Sequence, residues 1–415
     1  MEKRKAKASV ILIWLCWVVY ACSYIGKLNY AANINQVMEF YKVDHSSVGL
    51  VSTFFFFAYG IGQVVNGVLC KKYNIKWIVS ISLLISGTVN LLVGISQSFA
   101  LVKFLWLING FSMSILWPSL IRLLSESISK RDMAKASVIM GTTVATGTFI
   151  VYGLSAVIVK FNFKIIFYLA SVLLWAVALF WLLSFTRIVN RAKADCEKEE
   201  VLQNISAEKK AEPFHKSALL LSIVMLGIYG VVTNLIKDGL TTWVPSILKE
   251  QYHLDASFSI ILTLLLPVVC IFGNAFAVKV HKKIPDYVLQ GALVFLLSAG
   301  IIGGVIGCLS LNQFLLTLIG FTVVCFLASS CNSLITSIFP LFMKGKVNSG
   351  FIAGILNGCC YVGSTISSYG LGSIADNFGW PAVFWVLFIA CAVACVIAVV
   401  YLIIKKRIYK KSISE

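Results

Sequence analysis

The stretch Tyr24-Ile-Gly-Lys-Leu-Asn-Tyr30 places a charged residue, Lys27, deep inside an apolar run that begins near Ser9. A second lysine, Lys237, occupies a comparable position in the apolar run that begins near Ser217. A charge near the centre of a bilayer costs about 2.5–3.5 kcal/mol on insertion scales, so such residues usually line a cavity and work there. The two lysines are about 210 residues apart in a chain of 415, which predicts a molecule built from two similar halves.

Composition indicates a membrane protein. The chain is 59% hydrophobic and only 13% charged, with a mean hydropathy of +0.90, whereas soluble domains average about 25% charged residues. In a soluble protein the net charge of +18 would suggest nucleic-acid binding. Here the cations cluster in short segments between apolar runs, a pattern that favours membrane orientation instead. We therefore expect a multi-pass protein of the cell membrane, surrounded by lipid and without a nucleic-acid partner.

Twelve apolar segments are long enough to cross a bilayer, since a spanning helix needs about 20 residues. They predict an all-α membrane protein with twelve transmembrane helices in two six-helix halves, residues 1–186 and 217–415. The polar interval 187–216 is predicted to be a solvated cytoplasmic linker between the halves. The twelve segments cover residues 9–37, 47–70, 76–98, 100–127, 134–159, 163–186, 217–248, 256–279, 286–308, 312–343, 349–374 and 381–404.

The distribution of lysine and arginine predicts the orientation of the chain. If the N-terminus is cytoplasmic, the segments on the cytoplasmic side carry 27 lysine and arginine residues and those on the other side carry 5. Cytoplasmic loops of membrane proteins carry an excess of these residues. The count therefore predicts that the N- and C-termini are both cytoplasmic.

Few ionisable residues fall within the apolar segments. Arg122 and Glu126 lie one helical turn apart in the fourth segment and are expected to pair with each other. Lys27, Lys237 and Asp238 remain as deep charges. Because the two lysines occupy corresponding places in the two halves, we interpret them as functional residues that bind an anion.

The residues typical of catalysis and of metal binding are absent from the positions where they would be needed. None of the 12 cysteines forms a CxxC pair, and the four histidines lie in predicted loops or at the ends of segments. No deep Ser-His-Asp set or carboxylate pair is present. We therefore expect neither an enzyme nor a bound cofactor or metal.

Several motifs give the chain a resemblance to the major facilitator superfamily, and within it to the organophosphate:phosphate antiporters, over most of its length. That family's first helix carries Tyr-x-x-Arg-Lys-Asn, matched here by Tyr24-Ile-Gly-Lys-Leu-Asn29. Its seventh helix is matched by Lys237-Asp-Gly-Leu-Thr-Thr-Trp-Val-Pro-Ser-Ile-Leu-Lys-Glu250. The resemblance implies two halves that rock about a site at the midplane. It also implies that this site is lined by Tyr24, Tyr59, Trp117 and Tyr361.

The departures from the family fall on the site itself. Two phosphate-binding arginines are replaced by Lys27 and Lys237, a second-helix lysine by Gln63, and a fifth-helix histidine is missing near Val144. Arginine grips phosphate through a planar bidentate fork, whereas lysine is a compact point charge. A carboxylate or another singly charged organic anion therefore competes with a phosphate ester as the substrate. The related anion:cation symporters are a second resemblance, but they carry acidic residues that this chain lacks.

Together these features predict a secondary transporter that moves a small organic anion, an organophosphate or a carboxylate, by alternating access. We expect a monomer that works by anion exchange, with inorganic phosphate or a second anion as the counter-substrate. A proton-coupled symporter, with Asp238 as the coupling residue, and a transporter-like sensor of phosphate esters remain as alternatives. The predicted substrate-binding residues are Lys27, Lys237, Tyr24, Asn29, Tyr59, Gln63, Trp117 and Tyr361.

Overall fold

The computed structural model describes residues 8–69, 73–203, 216–339 and 349–414, and across these ranges the chain forms helices joined by short turns. No β-strand occurs within these four ranges. Eleven helices of the described residues are long and apolar enough to cross a membrane. Helices satisfy their own backbone hydrogen bonds, which lipid cannot do for them. The all-α membrane architecture expected from the sequence is therefore confirmed.

The first half of the chain forms six helical spans, each of which coincides with one of the apolar segments. They are α1 (Ala8–Ser23 and Ile25–Ala32), α2 (His45–Leu69), α3 (Ile75–Ile95), α4 (Phe99–Met113 and Leu116–Ser127), α5 (Lys130–Gly141 and Thr143–Ile158) and α6 (Ile165–Gln203). A further short helix, Ile34–Tyr41, follows α1.

The second half repeats this arrangement of six spans. They are α7 (Lys216–Tyr252), α8 (Ala256–Thr263 and Leu265–Lys283), α9 (Tyr287–Ser310), α10 (Phe314–Ser333, followed by a π-helical turn at Leu334–Ile338), α11 (Ser349–Phe378) and α12 (Trp380–Ser414).

The predicted linker 187–216 is helical along much of its length, because α6 continues to Gln203 before α7 begins at Lys216. The remainder of the linker lies outside the described residues. The division into halves at 1–186 and 217–415 stays a prediction. The predicted pair within α4 is confirmed, since Arg122 Nε and Glu126 Oε1 are 2.7 Å apart.

The two halves meet most closely where α2 lies along α11. Gly49 of α2 is so near this partner that a Cβ added there would lie 2.1 Å from the carbonyl oxygen of Ser368. Small residues allow such backbone approach between helices in lipid. The same two helices are also in contact at Tyr59 of α2 and Tyr361 of α11, whose ring centroids are 4.7 Å apart. The α2–α11 contact therefore carries the interface into the middle of the molecule.

A proline provides a second link between the halves. Pro245 lies inside α7 and has no N–H with which to reach the carbonyl of Thr241 four residues earlier. The hydroxyl of Tyr152, in α5, donates to that carbonyl oxygen at 2.7 Å. The carbonyl of Thr241, which the proline leaves without its helical donor, is thus satisfied by a residue of the opposite half. A backbone polar group that is buried away from water needs such a partner.

Candidate functional site

Lys27 lies at the centre of a cluster of aromatic rings. Its side chain is buried, and its Nζ lies 4.3 Å from the ring centroid of Tyr59, 5.1 Å from that of Tyr24 and 5.6 Å from that of Tyr361. Phe55 adds a fourth ring at 5.8 Å. Aromatic faces attract a cation, by about 2 kcal/mol or more where the contact is desolvated. The rings therefore hold the ammonium in place without neutralising its charge.

The aromatic cluster draws on both halves of the molecule. Tyr24 belongs to α1 and Tyr59 to α2, whereas Tyr361 comes from α11. Tyr20 extends the cluster, with its ring centroid 5.6 Å from that of Tyr24 and 4.8 Å from that of Trp117. Four of the aromatic residues predicted from the resemblance are thus brought together around or beside Lys27.

Lys237 has a different environment from Lys27. Its Nζ lies 3.4 Å from Oδ1 of Asp238, the next residue in α7. The other carboxylate oxygen of Asp238, Oδ2, accepts hydrogen bonds from the hydroxyl of Ser364 in α11 and, at 3.3 Å, from Nδ2 of Asn234. The side chains of Lys237 and Asp238 are 24% and 19% exposed. This cation is therefore paired within the protein and still accessible.

The two lysines face a common region between the halves. Helix α11 connects the surroundings of the two: the ring of Tyr361 lies 5.6 Å from Lys27 Nζ, and the hydroxyl of Ser364, three residues later, donates to Asp238 beside Lys237. Residues three apart on a helix share a face, so Tyr361 and Ser364 place Lys27 and Asp238 beside the same face of α11. The geometry thus joins the two deep charges that the sequence singled out, although they come from opposite halves.

Gln63 lies near one end of this region, in α2. Pro118 cannot donate to the carbonyl of Ser114, where α4 is interrupted, and Nε2 of Gln63 donates to that oxygen at 3.1 Å. Oε1 of Gln63 accepts from Nδ2 of Asn357, in α11, at 3.4 Å. Gln63 is buried and linked to both halves, and its amide is engaged by the protein in this conformation.

Asn29 is placed apart from the aromatic cluster, in the interior of the first half. Its Nδ2 donates to Oδ1 of Asn90, in α3, at 2.7 Å, and its own Oδ1 accepts from the backbone N–H of Tyr30 at 3.0 Å. The carbonyl of Gly26, one turn before Tyr30, accepts instead from Asn90 and Asn109. Asn29 is fully buried in this network. The hydrogen bonds that occupy it hold α1 against α3 and α4.

Three polar residues of the site were not among the predicted substrate contacts. Asn234 and Ser364 hold the carboxylate of Asp238, and Asn332 of α10 donates to Oδ1 of Asn234 at 2.7 Å. Each is a polar residue inside an apolar segment, which is the signal that could have identified it. Within the described ranges no group of three or more His, Cys, Asp or Glu residues could hold a metal ion. The groups that the site offers are ammoniums, hydroxyls, amides and the carboxylate of Asp238.

Comparison with known proteins agrees with this architecture. The model of the family described as Major Facilitator Superfamily matches residues 16–353. A probable hexose phosphate transport protein of Chlamydia pneumoniae is 22% identical over 428 aligned positions, which cover 94% of this chain and 90% of that protein. Sugar phosphate exchanger 3 of Bos taurus is 20% identical over 394 positions, covering 83% and 78%.

The fold is also that of a solved transporter. The crystal structure of a bacterial homologue of the human lysosomal transporter Spinster, in an inward-facing and occupied conformation, superposes with a TM-score of 0.73 at 12% identity. The superposition covers 97% of this chain and 98% of the other. With the family match extending across both halves and the same fold in a solved structure, this chain belongs to the Major Facilitator Superfamily and is a multi-pass membrane transporter, not an enzyme.

Proposed function

We propose that this transporter moves a small organic anion, an organophosphate or a carboxylate, by alternating access and in exchange for a second anion. The observation that carries the proposal is that both lysines, from opposite halves, lie beside α11, where Tyr361 contacts Lys27 and Ser364 bonds to Asp238 next to Lys237. Within the described part of the chain, Lys27 contacts aromatic rings and has no carboxylate at ion-pair distance. A buried charge without a partner is costly, so a substrate anion that completes the pairing binds favourably.

The same geometry couples binding to the movement of the halves. In the empty carrier the two ammoniums, which come from opposite halves, repel each other as like charges do. An anion between them attracts both and favours approach of the two halves around it. The rings of Tyr24, Tyr59 and Tyr361 lie around Lys27. In this proposal their hydroxyl groups hydrogen-bond to substrate oxygens. In this proposal Trp117 and Gln63 shape the adjoining space, and Asn29 acts indirectly, by fixing the helix that carries Lys27.

The environment of Asp238 fits anion exchange, because its carboxylate is already engaged by the protein. Its carboxylate accepts hydrogen bonds from Ser364 and Asn234 and lies beside the Lys237 ammonium. In the proposed exchanger this carboxylate keeps its partners throughout the cycle and carries no proton. A relative with a similar sequence is named as a sugar phosphate exchanger. Proton-coupled symport, with Asp238 as the proton carrier, is the alternative that transport measurements can distinguish.

The test is transport by purified protein in liposomes. We expect external substrate to accelerate the efflux of labelled internal substrate, with no uphill uptake when a pH gradient is imposed on liposomes lacking an internal anion. Lys27→Ala and Lys237→Ala should each weaken substrate binding by about 30-fold or more, since truncating one partner of a buried charge pair costs about 2 kcal/mol or more. Arginine at either position should restore binding only in part, because its fork is larger.

Three outcomes would contradict parts of this proposal. Normal binding by either alanine variant would exclude the central site. Uptake driven by the pH gradient, and lost in Asp238→Asn, would establish symport. Binding of phosphate esters without any counterflow would indicate a sensor in place of a carrier. The thermal stability of each variant without substrate serves as the control for correct folding.

A further inference from the structure

The two cations of the site differ in how much of their charge the protein itself neutralises. Lys237 lies 3.4 Å from the carboxylate of Asp238, whereas the contacts of Lys27 are aromatic rings. Together, Lys27, Lys237 and Asp238 carry one net positive charge. These are the deep charges of the central region within the described residues, because the Arg122–Glu126 pair lies elsewhere, in the second part of α4.

The negative charge of Asp238 is built into the scaffold. Its Oδ2 is held by Ser364 of α11 and by Asn234 of α7, and Asn234 is held in turn by Asn332 of α10. Nδ2 of Asn234 also lies 3.1 Å from the Ser364 hydroxyl. Three helices of the second half therefore fix the carboxylate in position. A substrate that arrives at Lys237 meets this carboxylate as a permanent neighbour.

We propose that Asp238 determines the charge selectivity of the carrier and restricts it to substrates whose bound group carries a single negative charge. This inference rests on the proposed function, that is, on anion binding between Lys27 and Lys237. The chemical class comprises carboxylates, phosphodiesters and phosphate monoesters that retain one proton. Such a group neutralises Lys27 and leaves Lys237 with its internal partner.

A doubly charged phosphate monoester binds less favourably for two physical reasons. Its second charge finds no uncompensated cation, since Lys237 is already paired with Asp238. It is also repelled by the Asp238 carboxylate, because like charges interact more strongly at a protein site than in bulk water. The protein could relieve both effects only by separating Asp238 from Lys237, which would leave the carboxylate with hydrogen-bond donors alone.

The experiment compares three probes that share a hexose framework. Glucose 6-phosphate is mostly a dianion at pH 7.5, because the second ionisation of a phosphate monoester has a pKa of about 6. The other two probes, the methyl phosphodiester of glucose 6-phosphate and the sugar acid glucuronate, are monoanions at that pH. Dissociation constants are measured for the purified carrier and for Asp238→Asn, an isosteric change that removes one negative charge. We expect Asp238→Asn to shift the affinity ratio toward the dianion by about tenfold or more, as expected for loss of one nearby charge.

Glu126→Gln provides the matched control. It also removes one carboxylate charge from the chain, but from the partly exposed pair with Arg122 in α4. The ratio of affinities for dianion and monoanion should be the same in Glu126→Gln as in the wild type. An equal shift in both variants would show that overall charge, and not Asp238, sets the ratio, and would overturn the proposal.

A measurement on the unaltered protein tests the same inference if Asp238→Asn does not fold. Lowering the pH from 7.5 to 5.5 converts glucose 6-phosphate largely to its monoanion, whereas glucuronate keeps one charge. The affinity of the carrier for glucose 6-phosphate, relative to its affinity for glucuronate, should then rise by about tenfold. Glucuronate serves as the reference for pH effects that act on both probes alike. The protein's own groups near the site are Lys27, Lys237, Asp238, the three tyrosines around Lys27 and the thiols of Cys270, Cys325 and Cys360. A constant ratio overturns the inference alone, whereas failure to bind any of the three probes overturns the proposed function.

Discussion

The two faces of the helix bundle are held together in different ways. At the face opposite the termini, His45 at the start of α2 bridges two carboxylates of the second half, with Nδ1 2.6 Å from Asp376 Oδ1 and Nε2 2.8 Å from Glu250 Oε1. At the face that carries the termini, the ion pair of Asp286 and Lys405, 2.5 Å apart, joins α9 to α12 within one half. The first set of bonds spans the halves, and the second does not.

Further contacts follow the same division. Lys249 of α7 pairs with Glu39, and the hydroxyl of Ser246 donates to Oδ1 of Asn35 at 2.6 Å, so both join the halves at the face opposite the termini. Near the termini, the hydroxyl of Ser9 donates to Asp132 Oδ2 at 2.7 Å, within the first half. A carrier that alternates must separate its halves at one face at a time. The described contacts therefore correspond to a state that is closed opposite the termini.

The start of α2 is the most specific of these contacts. The backbone N–H groups of His45 and Ser46 donate to the carboxylate oxygens of Asp376, at 3.1 and 2.7 Å. A carboxylate at a helix N-terminus satisfies N–H groups that the helix leaves unpaired. Here the capping residue belongs to the other half. Opening this face removes the cap, so the cap stabilises the closed state.

The largest effect is expected from locking this face. In Glu39→Cys/Lys249→Cys the two thiols replace a pair of groups in contact across the halves, and a short, reducible bifunctional thiol reagent should join them. We expect anion exchange in liposomes to fall to background after cross-linking and to return after reduction, because the halves can no longer separate there. The single-cysteine variants, treated in the same way, are the controls for the native cysteines. Full exchange by the cross-linked carrier would show that this face need not open.

A smaller effect is expected from removing the cap between the halves. Asp376→Ala removes this cap together with the bond to His45 Nδ1, and it should favour opening of this face by about 0.5–2 kcal/mol or more, since an N-cap alone usually contributes that much. That corresponds to a change of about 2- to 30-fold in the ratio of open to closed molecules. The measurement is the distance distribution between spin labels at Lys42 and His253, two exposed positions on this face.

The chain offers a matched control for that substitution. Asp44 caps the same end of α2, but within its own half, by accepting from the N–H of Ser47 at 2.8 Å. Asp44→Ala should lower the thermal stability in a similar way without changing the label distances, because the cap is present whether the face is open or closed. Equal shifts in the Asp376→Ala and Asp44→Ala variants would contradict a role of the Asp376 cap in closure.

The smallest effect is expected at the face that carries the termini. Burial by itself would raise the pKa of Asp286, but the hydrogen bond and charge of Lys405 and the N–H groups of Leu289 and Val288 outweigh it and hold the pKa below its usual value. A lowered pKa stabilises the folded protein above the unfolded value of about 3.9, and this contribution is lost as the pH falls through the folded pKa. Asp286→Asn should therefore lower stability by about 1 kcal/mol or less at pH 7, with partial exposure weakening the pair.

This prediction is checked by thermal unfolding of both proteins at pH 7 and at successively lower pH. The difference between them should shrink below pH 4, and the label distances at the opposite face should stay unchanged at pH 7. A changed distance would mean that an ion pair within one half also influences the ratio of open to closed molecules at the opposite face. The two faces would then not differ in the way described above.

The sequence alone was sufficient to predict the helical membrane fold. Each of the twelve apolar segments coincides with one of the helices α1 to α12, because length and hydropathy are properties of a local stretch. All of these helices except α11 are among the eleven of the described residues that are long and apolar enough to cross a membrane. The same local reasoning identified Lys27 and Lys237 as deep charges and paired Arg122 with Glu126, since residues one turn apart share a helix face. The cytoplasmic position of the termini stays a prediction from charge distribution.

Only the tertiary structure decided what surrounds each of these residues. Lys27 and Lys237 look alike in sequence, yet one lies among aromatic rings from two halves and the other beside a carboxylate anchored by Ser364. Asn29 lies only two residues from Lys27, yet its side chain donates to Asn90 and does not join the aromatic cluster. These differences depend on which helices approach one another, and the contacts come from residues up to about 330 positions apart. The pattern of one chain segment determines its own helix, but the partners of a side chain are set by packing among segments that are distant in sequence.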